Sequence, residues 1–214
     1  MSDKPEKDEP IEDWESYYEK TGTRPPRKTL IFALDRFDRE LGADDRRFAI
    51  DLGCGNGRDT IELLRRSWHV LAVDAEKSAT DGLRAREDLP DGALLDTHEG
   101  RFEAMEFPAA DLVNSSFALP LVAPLDFPDL WDRLLGAVRG GGRISCQLYG
   151  DRDSWVGRPG MTFFTKGGVE ALLEPLDLEY FQEEEDDSVT PRGQQKHWHI
   201  FHIVARKPII AGRT

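Results

Sequence analysis

Asp51-Leu52-Gly53-Cys54-Gly55-Asn56-Gly57 combines a carboxylate with three glycines at alternate positions, directly after the apolar run Phe48-Ala49-Ile50. A buried strand that breaks into glycine-rich backbone and then a helix near Arg58 leaves amide N–H groups facing a ligand, and only glycine lets main chain approach that closely. A second carboxylate, Asp74, ends another apolar run, His69-Val70-Leu71-Ala72-Val73, and Ala75 follows it. A carboxylate accepts two hydrogen bonds from a vicinal diol, so an acid at this strand end suits the ribose of a cofactor. The glycine spacing is D-x-G-x-G-x-G. A dinucleotide fingerprint would read G-x-G-x-x-G, and Arg58 stands at the position of its last glycine, which disfavours a nicotinamide enzyme.

The elements that must carry these groups alternate. Strands are expected at Phe48 to Leu52, His69 to Asp74, Gly92 to Glu99, Asp111 to Ser115 and Arg143 to Tyr149, with helices over Asp59 to Arg66, Ser78 to Arg86, Phe127 to Val138 and Gly168 to Leu173. Lys77 or Ser78 is the expected cap of the second of these helices, and Gly140-Gly141-Gly142 the stop of the third. Such alternation predicts right-handed crossovers and a Rossmann-like, doubly wound α/β sheet with helices on both faces. The end of the chain changes pattern to two long strands, Leu176 to Glu184 and Lys196 to Arg206, around a turn at Thr190-Pro191-Arg192-Gly193. Both alternating sets of the last strand contain large apolar side chains, so it belongs inside the sheet rather than at its edge. The acidic run Glu183-Glu184-Glu185-Asp186-Asp187 reads as a solvated strand end or turn.

The 214 residues suit one domain with one core, here residues 11–214 behind an acidic, disordered tail at 1–10. A helical lid is expected over about 11–41, with Trp14, Tyr17 and Tyr18 at helical spacing before the rigid loop Arg24-Pro25-Pro26. No apolar stretch reaches bilayer length and the first ten residues have no apolar segment of a signal peptide, so the expected compartment is the cytoplasm, with no membrane partner. A net charge of −13 argues against nucleic acid, which is bound by clustered Lys and Arg, and points to a small-molecule substrate. The protein is expected as a monomer or homodimer. The two cysteines, Cys54 in the glycine loop and Cys146 in a strand, suit a reduced compartment. No metal cluster is expected: in a strand His197 and His199 share one face and His202 takes the other.

From Trp14 to Lys207 the chain resembles the class I S-adenosylmethionine-dependent methyltransferases, most closely the small tellurite-resistance type. That resemblance implies a seven-stranded sheet, mostly parallel, with the last strand inserted antiparallel beside the fifth. It also implies S-adenosyl-L-methionine as cofactor and S-adenosylhomocysteine as product. By position it places Asp51, Gly53, Cys54, Gly55, Asn56 and Gly57 around the methionine moiety, Asp74 and Ala75 at the ribose, and Arg101, Phe102 and Glu103 beside the adenine. Arg101 stands where the family often has an acid, so Glu103 or a backbone carbonyl would replace it. Tyr18 and Arg24 of the lid would pass over the cofactor, and Asn114 and Ser115 end the fourth strand beside it. Asn114-Ser115-Ser116-Phe117 lacks the Asn/Asp-Pro-Pro-aromatic signature of amino-group methylation, and neither cysteine is placed as a nucleophile.

Methyl transfer from a sulfonium needs mainly alignment and exclusion of water, so no residue is assigned as catalytic. Tyr17, Asp153, Trp155, His197 and His199 are the candidates for substrate contact, at the lid or at strand-end loops. The implied acceptor is a small molecule, a soft nucleophile such as a thiol or a chalcogen oxyanion. The alternative is a non-catalytic S-adenosylmethionine-binding sensor or assembly protein.

Overall fold

The computed structural model describes residues 24–40, 47–190 and 193–209. Helix α1 (Lys28–Glu40) is amphipathic and buries Leu30, Ala33, Leu34 and Phe37. The α/β units follow as β1 (Phe48–Leu52), α2 (Thr60–Arg65), β2 (His69–Asp74), α3 (Lys77–Arg84), β3 (Leu95–Glu99), β4 (Ala110–Ser115), α4 (Phe127–Ala137), β5 (Val138–Gly150), β6 (Phe163–Phe164) and α5 (Lys166–Leu173). The antiparallel pair β7 (Asp177–Val189) and β8 (Gln195–Arg206) completes the chain.

The sheet runs β3-β2-β1-β4-β5-β8-β7, with the two-residue β6 attached to β5. Strands β1 to β5 pair in parallel, and β8 lies antiparallel between β5 and β7. The doubly wound sheet and the inserted last strand expected from the sequence are therefore present. Apolar clusters cover both faces, one around Ile50, Leu130, Leu148 and Phe201, the other around Leu34, Ala49, Leu63 and Val70. Burial on both faces explains why the inner parallel strands β1 and β2 read as apolar runs.

Several boundaries differ from the sequence reading. The acidic run is neither a strand end nor a turn: Glu183 to Asp187 lie inside β7, opposite Phe201 to His197. Basic and imidazole partners support it there, since Arg152 bonds Glu183 and Glu185, His197 bonds Glu185 and Asp187, and His202 bonds Glu184. Helix α4 ends at Ala137, before the three glycines, and β5 starts at Val138 with a bulge in its pairing to β4. Strand β3 starts at Leu95, because residues 90–93 close a turn through Ala93 N–H and Pro90 C=O. Neither Lys77 nor Ser78 caps α3; Glu76 is the cap position, and its own N–H donates to Asp74 Oδ1 at 3.0 Å. Among the described residues no helix is long and apolar enough to cross a membrane. The expected tail and residues 11–23 and 41 of the lid, Tyr17 and Tyr18 among them, lie outside the described residues.

Candidate active site

The carboxyl ends of the strands open into one cavity of about 840 Å³. One side is built by the ends of β1, β2 and β3, where Gly53, Asp74, Ala75, Arg101, Phe102 and Glu103 form the wall. The other is built by β5, β7 and β8, which contribute Gln147, Tyr149, Gln182, Glu184, Asp186, Trp198, Ile200 and His202. Arg24, Arg27, Lys28 and Thr29, ahead of and within the first turn of α1, bridge the two sides.

Asp74 is buried and held at the wall by two backbone donors, Gly55 N–H to Oδ2 at 2.9 Å and Glu76 N–H to Oδ1 at 3.0 Å. The turn after β1 is fixed in the same way, since Gly53 and Cys54 N–H both donate to Val73 C=O. Gly53 has φ +67°, and a Cβ there would lie 2.3 Å from Ala118 Cβ. This position requires glycine for conformation and for space. A main-chain surface at Gly53, a fixed carboxylate at Asp74 and the half-turn holding Phe102 are a donor set and shape that fit a nucleoside carrying an amino-acid chain.

Other loop residues support the wall from behind and do not line the cavity. Asp51 is buried, accepting from Thr60 Oγ1 at 2.5 Å and Asn114 Nδ2 at 2.9 Å. Burial and the neighbouring Asp59 push its carboxyl up to about 7. Asn114 also reaches Asp59 Oδ2 at 3.3 Å, and Asp59 Oδ1 accepts Arg27 N–H at 2.9 Å, which ties the entry of α1 to the glycine loop. Cys54 is buried, and Gly57 packs at Leu83, where a Cβ would lie 2.3 Å from Cδ1. Asn56 presents its carbonyl to Arg86, and Ser115 is fully buried. Burial raises the thiol of Cys54 well above its ordinary value and that of Cys146 to about 12, so both are poor nucleophiles. Arg101 donates to Glu103 at 2.5 Å, and both remain at the wall.

Of the described substrate candidates, Trp155 lines the cavity and the other three do not. Asp153 is buried in an ion pair with Lys196, whose ammonium sits over the rings of Trp155 and Trp198. His197 lies on the opposite face of β8, between Glu185 and Asp187. His199 shares that face and is fully buried against Gly150, accepting Arg152 N–H at 3.1 Å on Nδ1. The strand's alternation separates these two from Trp198, Ile200 and His202. His202 is the histidine that reaches the cavity, although the sequence reading looked to its neighbours.

The comparisons with known proteins meet this geometry. The family described as methyltransferase domain matches residues 49–142, which run from β1 to the first part of β5. This stretch is similar to a methyltransferase domain. The trans-aconitate 2-methyltransferase of Rhodopseudomonas palustris (strain BisA53) is 31% identical over 141 residues, 64% of this chain and 50% of the relative. The chain thus spans about half the length of that curated relative. TehB from Haemophilus influenzae has a similar structure, with a TM-score of 0.73 at 15% identity over 91% of this chain and 67% of TehB. Magnesium protoporphyrin IX methyltransferase (ChlM) from Synechocystis PCC 6803, solved with bound SAM, superposes with a TM-score of 0.65 at 11% identity over 91% and 90% of the two chains. These structural likenesses show a shared Rossmann-like methyltransferase fold.

Proposed function

We propose that the protein is an S-adenosylmethionine-dependent methyltransferase acting on a small-molecule acceptor. The supporting observation is the continuity of one cavity from Gly53, Asp74 and Phe102 to Gln147, Tyr149, Trp198 and His202. A bound cofactor supplies an electrophilic methyl group on a sulfonium. Asp74 would hold the ribose, Phe102 would pack on the adenine beside Glu103, and Gly53 would face the methionine end. Asp51, Cys54, Gly55, Asn56, Gly57, Asn114 and Ser115 would act by shaping that wall from behind. Arg24 and Arg27 would close the mouth, where a guanidinium matches the cofactor's carboxylate. The aromatic rings of Phe117, Tyr149, Trp155 and Trp198 would exclude water from the acceptor end.

Calorimetry with S-adenosylmethionine, S-adenosylhomocysteine and NAD tests the cofactor assignment; preferential NAD binding would overturn it. Methyl-labelled cofactor should then be incubated with thiols, phenols, amines, trans-aconitate and tellurite. Transfer to any of these supports the enzyme. Cofactor binding without transfer across all five classes would instead make the protein a sensor.

A further inference from the structure

We propose that His202 is the general base of this site and that its acceptor is a protic, flat molecule, one whose attacking atom carries a hydrogen, rather than an oxyanion. The inference rests on the methyltransferase reading and specifies its acceptor. Gln147 and His202, at the β5/β8/β7 wall, carry it. Gln147, His202 and Gln182 are direct partners across the three strands, so their side chains share one face and all three line the cavity.

Gln147 is fully buried. Its Nε2 donates to Thr29 Oγ1 at 2.8 Å, while Oε1, equally buried, has no partner among the described residues. With Nε2 turned to the Thr29 hydroxyl, Oε1 lies within the wall behind the cavity as an acceptor awaiting a donor. A buried acceptor left unmet costs free energy, and a ligand N–H or O–H relieves that cost where a carboxylate cannot.

His202 lies directly opposite. Glu184 Oε2 is 2.9 Å from its Nε2, and a carboxylate there takes the Nε2–H and leaves the lone pair on Nδ1. The charged groups facing the ring are Glu184 on β7 and Arg27 and Lys28 at the entry of α1; β5 presents the neutral Gln147, and the loop after β4 the ring of Phe117. Burial lowers the imidazole pKa, Arg27 and Lys28 lower it further, and Glu184 opposes them, so the ring is neutral and able to accept a proton at pH 7. The step balances: the attacking atom bonds the transferred methyl, the methyl–sulfur pair stays on the departing thioether, and the acceptor's proton passes to Nδ1 of His202. A carboxylate or tellurite acceptor has no proton to lose and would leave both Gln147 and His202 without a role. Tyr149, Trp155 and Trp198 line the same end and favour a flat molecule.

The test uses the full chain with S-adenosylhomocysteine bound and 15N-labelled histidine, the His202 signal being assigned by its loss in His202→Gln. The expected spectrum at pH 7 is a neutral ring protonated on Nε2; a protonated ring or an Nδ1–H tautomer would overturn the proposal whatever the turnover. With 5-hydroxyindole and 4-aminophenol as acceptors, His202→Gln should lower kcat by about 10²–10⁴-fold, leave S-adenosylhomocysteine affinity within twofold and abolish the acid limb of the pH profile. Gln147→Leu should raise KM more than it lowers kcat. Transfer that persists in His202→Gln with its acid limb intact, or transfer confined to trans-aconitate or tellurite, would overturn the base while leaving the methyltransferase reading standing. Failure of the wild-type protein to bind S-adenosylhomocysteine would remove both.

Discussion

Gly55 and Asp74 are joined by a hydrogen bond of 2.9 Å from the Gly55 N–H to Oδ2 of the carboxylate. The bond connects the turn after β1 to the end of β2, so the two sequence features that suggest a cofactor are mechanically one unit. Asp74→Ala removes that acceptor and the contact to Glu76 together. Affinity for S-adenosylhomocysteine should fall by about 1–3 kcal/mol, the cost of losing charged hydrogen bonds, while the fold survives. Calorimetry with circular dichroism measures both, and unchanged affinity in a folded variant would refute a ribose role for Asp74.

Local interactions leave a signature in the sequence and long-range ones do not. The glycine loop, the acid at the end of β2 and the alternation of strands and helices are local patterns, and they were legible. The parity of His197, His199 and His202 along one strand was legible too, but not which face would meet the cavity, because β8 packs between β5 and β7 far along the chain. Gln147 has no local signature; its orientation depends on Thr29, 118 positions away. The acidic run is largely solvated as its charge suggests, but it continues β7 instead of ending it, because its partners Arg152, His197 and His202 arrive from other segments.

Gly53→Ala should damage the loop in two separable ways. The added Cβ would meet Ala118 Cβ at 2.3 Å, and φ +67° is a conformation that costs a non-glycine residue about 1–2 kcal/mol. Weaker cofactor binding and a lower Tm are expected. Adding Ala118→Gly removes the clash but not the backbone cost, so the double variant should recover part of both. Recovery of neither would mean that packing at Ala118 is not what restricts the position.

The Asp153–Lys196 pair supports the aromatic wall from inside. Both side chains are buried, and Asp153 also accepts the N–H groups of Trp155 and His199. Asp153→Ala leaves the ammonium of Lys196 unpaired beneath Trp155 and Trp198, and breaking one half of a buried pair costs about 3–5 kcal/mol. Denaturant unfolding should show that loss. Pairing Asp153→Asn with Lys196→Met removes the stranded charge and should restore much of the stability. A single variant as stable as wild type would show that the pair carries no structural load.

Asp51 sets a pH dependence of stability with a defined sign. Burial and the nearby Asp59 hold its carboxyl at about 7 in the folded protein, against an ordinary value of 3.8. Between those values the unfolded chain has released the proton and the folded one still holds it, so the folded state binds more protons and stability falls as pH rises. The slope is at most about 1.4 kcal/mol per pH unit from this group, and it vanishes above the folded pKa, where both states are ionised. Asp51→Asn cannot ionise and removes this contribution. Urea unfolding of both proteins from pH 5 to pH 8 should therefore give a stability difference that shifts in favour of the variant as pH rises through the range and then levels off. Parallel curves would show that Asp51 is ionised throughout, with Thr60 and Asn114 stabilising a buried carboxylate instead of sharing a site with a protonated acid.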